Sequence, residues 1–123
     1  MSYDLAVFDP TSAPSGRDEF LAWFDKQAEW AAPRDYNSLD GTSPALRDWY
    51  QLMIPQFPAM NGPDRSDAWN SRVSDYCIGS DVIYVAFASS VAKEAYTAVR
   101  RAAEQAGVGF LDASGDGEVW RPI

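Results

Sequence analysis

Seven consecutive apolar and aromatic residues, Val82–Ala88 (VIYVAFA), constrain the fold of this chain more than any other segment. A half-exposed strand alternates polar and apolar side chains, whereas a strand without a polar position is typically covered on both faces. The segment follows YCIG and the turn residues Gly79-Ser80-Asp81. We therefore predict a β-hairpin whose second strand lies inside a sheet.

The remaining elements are predicted from helix and strand signals along the chain. Ser43-Pro44 is typical of a helix start, because proline fits the first helical position, and Gly107 is typical of a helix end. Ser15 and Asp18 resemble a capping box and predict an earlier helix. The predicted elements are, in chain order, a strand at Tyr3–Phe8, a helix over 16–32, a helix from Ser43-Pro44 to Pro55, the hairpin, a helix capped by Ser89 or Ser90 and ended by Gly107, and a final hairpin formed by VGFLDA and EVWRP.

This order, β-α-α-β-β-α-β-β, predicts a single α+β domain over residues 1–123. Without the second helix and the last strand, it is the split β-α-β-β-α-β pattern of ferredoxin-like domains. We therefore expect a mixed sheet with the helices on one face. We expect the fifth strand at an edge of this sheet, paired with the fourth.

The charge balance disfavours several classes of partner. The chain has 18 acidic and 10 basic residues, a formal net charge of −8. An acidic surface repels phosphate backbones and anionic membranes, so we expect no binding to nucleic acid or to membranes. Such a surface attracts basic proteins, although solubility alone also accounts for the charge.

The cysteine content and the N-terminal sequence indicate a cytoplasmic protein. Cys77 is the only cysteine, so no internal disulfide can form, and this fits a reducing compartment. The segment MSYDLAVFDP has no basic leader, and no apolar run approaches the ~20 residues that span a bilayer.

The chain lacks the residues of several common active sites. It contains no histidine, which excludes Ser-His-Asp and Cys-His arrangements and the usual zinc ligand sets. Cys77 falls in a predicted apolar strand, so we interpret it as a buried hydrophobic residue and not a nucleophile. Carboxylate pairs could still support hydrolysis, but no spacing singles one out. We therefore expect no cofactor and favour binding over enzymatic activity.

The segment DASGDGEVW, residues 112–120, begins like a calcium loop, because Asp112, Ser114 and Asp116 alternate and Gly117 follows. The ligands that such a loop requires further along are missing, and no helix follows. We predict a hairpin turn here and no metal site. Asp112, Asp116 and Glu118 are the candidates for weak calcium binding.

Two polar loops, the first over residues 34–42 and the second over residues 60–72, have acidic residues within them and aromatic residues within or beside them. Aromatic anchors inside an acidic rim are what a site for a basic protein partner requires. The predicted partner-binding residues are Trp30, Asp35, Tyr36, Asp40, Asp64, Asp67 and Trp69. The competing interpretation is that these aromatic residues cover the core.

Two other functions are kept as alternatives. One is a small-molecule-binding protein or an enzyme, with a pocket between sheet and helices lined by Trp23, Trp49 and Tyr50. The other is a domain that associates with itself as a homo-oligomer.

Four segments carry a resemblance to a known group of proteins. The segments SYDLAVFDP, SPALRDWY, SDYCIGSDVIYVAFA and VGFLDASGDGEVWRP resemble a family of small, single-domain bacterial proteins of uncharacterised function. This resemblance runs along nearly the whole chain and implies no active site. In size and charge, the chain also resembles the immunity proteins that neutralise bacterial toxins, which implies an acidic, cytoplasmic, toxin-binding module.

Overall fold

The computed structural model describes residues 2–62, 65–67 and 70–122. The predicted α+β class is confirmed. An additional 3-10 helix precedes the third α-helix and was not predicted. The elements are β1 (Ser2–Phe8), α1 (Arg17–Gln27), α2 (Pro44–Met53), β2 (Asp75–Ile78), β3 (Val82–Ala88), the 3-10 helix (Ser89–Val91), α3 (Ala92–Ala106), β4 (Gly109–Leu111) and β5 (Val119–Trp120).

The five strands form one sheet in the order β2-β3-β1-β4-β5. Every neighbouring pair is antiparallel, so the prediction of a mixed sheet is wrong. The crossovers from β1 to β2 and from β3 to β4 each skip one position, and the strand between them runs the opposite way. The hairpin of β2 and β3 is confirmed, as is the edge position of β5 beside β4.

The central strand β1 contributes to a hydrophobic core on each face of the sheet. Leu5 and Val7 belong to the core that α2 and α3 cover, whereas Ala6 and Phe8 belong to the core that α1 covers through Phe20. The expected cover on both faces of β3 is found in part: Ile83, Val85 and Phe87 are buried in one core, and Val82 with the half-buried Tyr84 packs in the other. The prediction of helices on one face is wrong, because an apolar strand at the centre of the sheet needs a covering layer on each side.

The first helix is shorter than its predicted span of 16–32. It ends at Gln27, and its N-cap residue is Gly16, with no capping side chain. The predicted capping box of Ser15 and Asp18 is therefore wrong. The chain leaves the helical path because the residues that follow turn toward the edge of the sheet.

The other helix boundaries follow local chemistry. The predicted start of α2 is confirmed, with Ser43 as N-cap and Pro44 in the first turn. Gly107 ends α3 in the left-handed region, with φ of 76°, as predicted. The predicted serine cap of α3 is wrong, because Ser89–Val91 forms the 3-10 helix instead.

The longest helix has 15 residues, and none in the described ranges is long and apolar enough to cross a membrane.

The ring of Phe8 fills the space beside Gly109 where a side chain would otherwise lie. Phe8 is fully buried and pairs with Gly109 across the two strands. Its ring lies 4.7 Å from the ring of Phe20, measured between centroids. A Cβ atom at Gly109 would lie 2.2 Å from the Phe8 ring, so no larger residue fits there without moving β4 or the ring.

We expect Gly109→Ala to lower the free energy of unfolding by about 2–3 kcal/mol, because overpacking a core forces backbone shifts. Chemical denaturation measures this change. The matched control is Gly107→Ala, where a Cβ meets no atom within 4 Å and only the left-handed backbone resists it. The control should cost about 1 kcal/mol. An equal or smaller loss for Gly109→Ala would contradict the proposed contact.

Candidate functional site

A cleft of about 210 Å³ opens where the connection between α1 and α2 passes the turn between β2 and β3. This connection runs along the edge strand β2, where the Tyr36 carbonyl accepts a hydrogen bond of 2.8 Å from the Ile78 N–H. We name this feature the Trp30 cleft. Its walls include Lys26, Glu29, Trp30, Arg34, Tyr36 and Ser80.

Trp30 has an unusual backbone conformation. Its φ is 50°, and it is the only residue other than glycine with a positive φ in the described ranges. Bulky L-residues rarely adopt this region, because the side chain crowds the neighbouring carbonyl. The half-buried ring packs edge-on against Tyr36 and Tyr84, with centroids 5.4 Å and 6.3 Å away. Two aromatic contacts thus hold Trp30 in a strained conformation at the wall of the cleft.

Hydrogen bonds hold two other residues of the cleft wall, Tyr36 and Arg34, in place. The Tyr36 hydroxyl accepts a hydrogen bond of 2.8 Å from the Ala32 N–H. The Arg34 guanidinium donates to the Ser80 hydroxyl at 3.0 Å. It also donates to the Ser38 carbonyl at 2.9 Å. Arg34 therefore acts as a clamp that joins the α1–α2 connection to the β2–β3 turn.

The charges around the cleft are only partly neutralised. Lys26, Glu29 and Asp35 are exposed and make no ion pair with any described residue. One Asp35 carboxylate oxygen accepts a hydrogen bond from the Asn37 N–H at 2.8 Å, which fixes a turn. Because Arg34 is engaged by neutral groups, its charge adds to that of Lys26. The entrance therefore has mixed charge, and two carboxylates remain available to a ligand.

Two other predicted partner-binding residues, Asp40 and Asp67, do not line the cleft. Asp40 is exposed on the same connection as Tyr36. Asp67 is exposed and pairs with Arg65 at 3.8 Å on the second loop. Asp64 and Trp69 lie outside the described residues.

The structure brings the two predicted loops into contact at one point. A Cβ atom at Gly62 would lie 2.6 Å from the Asn37 carbonyl oxygen, so the backbones approach closely there. The second loop is anchored at its base by Ala59, whose carbonyl accepts a hydrogen bond from the Ser66 N–H at 2.8 Å. The two loops therefore approach each other near Asn37 and Gly62.

The alternative pocket is not formed by the residues predicted for it. Trp49 and Tyr50 belong to the core under α2 and α3, with exposures of 0% and 2%. Trp23 packs against the core on the opposite face of the sheet. The Trp49 indole N–H donates to the Val99 carbonyl at 3.3 Å. These aromatic residues pack the protein interior and do not line a common cavity.

The three weak metal candidates serve the turn between β4 and β5. Asp112 accepts a hydrogen bond from the Gly115 N–H at 2.9 Å, and Asp116 accepts one from the Glu118 N–H at 3.0 Å. The Glu118 carboxylate accepts one from the Tyr96 hydroxyl at 2.7 Å. In the described ranges, no three acidic or cysteine side chains lie together as a metal site requires.

We expect calcium titrated into the protein to give a calorimetric trace without saturable heat, because the turn already uses these carboxylates. Glu118→Gln is the matched variant, since it removes one charge and keeps the shape. Both proteins should behave alike. Saturable binding that Glu118→Gln abolishes would contradict this interpretation.

Cys77 lies in β2 and is half-buried. Burial raises the pKa of its thiol to about 11, and the charge of Asp75 adds to this effect. Because the thiolate is the nucleophile, a raised pKa leaves the thiol unreactive at neutral pH. This supports the interpretation of Cys77 as a packed residue.

We expect the alkylation rate of Cys77 by iodoacetamide to rise about tenfold for each pH unit between pH 8 and 10, since the thiolate fraction grows tenfold per unit below the pKa. In denaturant the profile should shift to the ordinary thiol pKa of about 8.5. A plateau near pH 9 in the folded protein would contradict the raised pKa.

One polar pair escaped the sequence analysis. The Tyr84 hydroxyl donates to the Asp4 carboxylate at 2.6 Å, between β1 and β3. Burial, followed by this hydrogen bond, raises the pKa of Tyr84. The Tyr84 phenol therefore stays protonated and acts as a donor. A carboxylate inside the apolar run YDLAVF was the available signal.

The clamp residue Arg34 was also missed. Its partners Ser38 and Ser80 lie 4 and 46 positions away in the chain, and the latter contact depends on the tertiary fold.

Comparison with protein-family models, with curated proteins and with solved structures gave no match to this chain. The functional interpretation therefore rests on the residues and contacts described above.

Proposed function

We propose that the protein is an acidic binding module that engages a basic protein partner through the Trp30 cleft and the carboxylates around it. The observation that carries this proposal is the strained backbone of Trp30 at the wall of an open cleft. Strained residues persist where surrounding contacts hold them, and they concentrate at ligand-binding positions.

The size of the cleft favours one side chain of a protein over a whole small molecule. Its volume of about 210 Å³ lies below the roughly 300–1,000 Å³ that is typical of small-molecule pockets. A long basic side chain can lie against the faces of Trp30 and Tyr36 and place its charge near Glu29. An aromatic wall with an acidic neighbour is typical of such an anchor site.

The net charge of −8 supports the same class of partner, because it steers basic proteins toward the surface. In this proposal the module acts in the cytoplasm as an immunity-type protein that occludes the active surface of a toxin. Acidic side chains such as Asp35 and Asp40 then take the place of the partner's natural anionic ligand.

A ferredoxin-like split unit is the structural part of this proposal. The support for it is the strand order β2-β3-β1-β4 together with the position of α2 and α3 on one face. On this interpretation α1 and β5 are additions, and the connection from α1 to α2 carries the Trp30 cleft.

The test is affinity capture from a host lysate at low salt, followed by titration of the purified captured protein. The variant Glu29→Gln/Asp35→Asn/Asp40→Asn should weaken binding at least about tenfold, since each rim charge contributes modestly and the three act together. The control Asp48→Asn/Glu104→Gln/Asp116→Asn removes the same charge from exposed sites outside the cleft.

The expected partner is basic, and its binding should weaken as salt screens the charges. Equal loss in both triple variants would show that net charge alone matters and would overturn the cleft as the binding site. A captured partner whose affinity neither variant changes would overturn the proposal as a whole.

A further inference from the structure

A second concave surface lies between the end of α2 and the exposed side of α3. This groove has a volume of about 470 Å³, which is within the range of small-molecule sites. We name it the basic groove. It is lined by Gln56, Arg72, Lys93, Glu94, Thr97, Ala98 and Arg101, and it shares no residue with the Trp30 cleft.

Three cations line the basic groove, and they outnumber its one carboxylate, Glu94. Lys93 and Arg101 lie two helical turns apart on α3, so they occupy the same side of the helix. Arg72 faces them from the segment that precedes β2. None of these three makes an ion pair with a described carboxylate, although Glu94 lies in the same wall.

Arg72 is held in one orientation. Its Nε donates to the Gln56 carbonyl at 2.9 Å, and its guanidinium carbon lies 4.3 Å from the centroid of the Phe57 ring. The two terminal nitrogens make no hydrogen bond with a described residue. A fixed guanidinium with free terminal donors is suited to hold two oxygens of one anion.

The Thr97 hydroxyl is not available to donate a hydrogen bond to a ligand in the groove. Thr97 donates to the Lys93 carbonyl at 3.2 Å, so the three cations are the groups left to hold an anion. The chain has 18 acidic and 10 basic residues, so it has more carboxylates than cations that could pair with them. Three unpaired cations in one groove repel one another, and a bound anion would neutralise them.

We propose that the basic groove binds the phosphoryl groups of a phosphorylated small molecule, with Arg72, Lys93 and Arg101 as the contacting residues. These three positive charges and the one negative charge of Glu94 leave a local net charge that matches one doubly charged phosphoryl group. Three cations offer few of the phosphate contacts that a nucleic acid needs, and the net charge of −8 also opposes its approach.

The test is a titration of the folded protein with inorganic pyrophosphate at constant ionic strength, followed by backbone amide NMR. Saturable shifts are expected at residues 93–101 and at Arg72. The exposed pair Lys93→Gln/Arg101→Gln should weaken binding at least about tenfold, since charge-assisted hydrogen bonds to phosphate are lost. Arg17→Gln/Arg65→Gln removes the same charge from exposed positions outside both concave surfaces and should change affinity by about twofold or less.

Thermal unfolding of both double variants verifies that the fold is intact. A lack of saturable shifts, or an equal loss in the two double variants, would overturn the proposal. A short DNA duplex that binds more tightly than pyrophosphate would also overturn it. Because Lys93 and Arg101 both lie outside the Trp30 cleft, these outcomes leave the proposed protein-binding function unaffected.

Discussion

Burial of β1 on both faces is the constraint on which the rest of the structure depends. Its side chains point alternately to the two faces and pack into two separate cores, Leu5 and Val7 into one and Ala6 and Phe8 into the other. Each core needs its own helical layer, so α1 and α2 lie on opposite faces although they are consecutive. The segment that joins them has to pass around the edge of the sheet.

That passage around the edge produces the Trp30 cleft. The joining segment passes beside β2, the edge strand, and its Tyr36 carbonyl accepts a hydrogen bond from Ile78, which satisfies one donor at the edge of the sheet. The turn away from α1 brings Trp30 into the left-handed region, where Tyr84 and Tyr36 hold it. The candidate site is thus a direct consequence of covering both faces of one apolar strand.

The sequence was sufficient for features that local chemistry determines. The start of α2 at Ser43-Pro44, the end of α3 at Gly107 and the span of β3 all follow from short-range preferences. The placement of α1 did not, because its face depends on which side of β1 was still uncovered. The run Val82–Ala88 already indicated two covered faces, and this signal was stronger than the analogy with a one-sided helical layer.

The candidate sites were less accessible from sequence for a related reason. Trp30 and Tyr36 are near in sequence and could be named, but the clamp formed by Arg34 and Ser80 depends on a contact between distant segments. The same holds for the basic groove, where Arg72 meets α3 only after folding. The two concave surfaces also differ in charge, since the entrance of the Trp30 cleft has mixed charge, whereas three unpaired cations and one carboxylate line the basic groove. Net charge averages over both surfaces, so only the folded arrangement shows that an acidic protein can present a site for an anion.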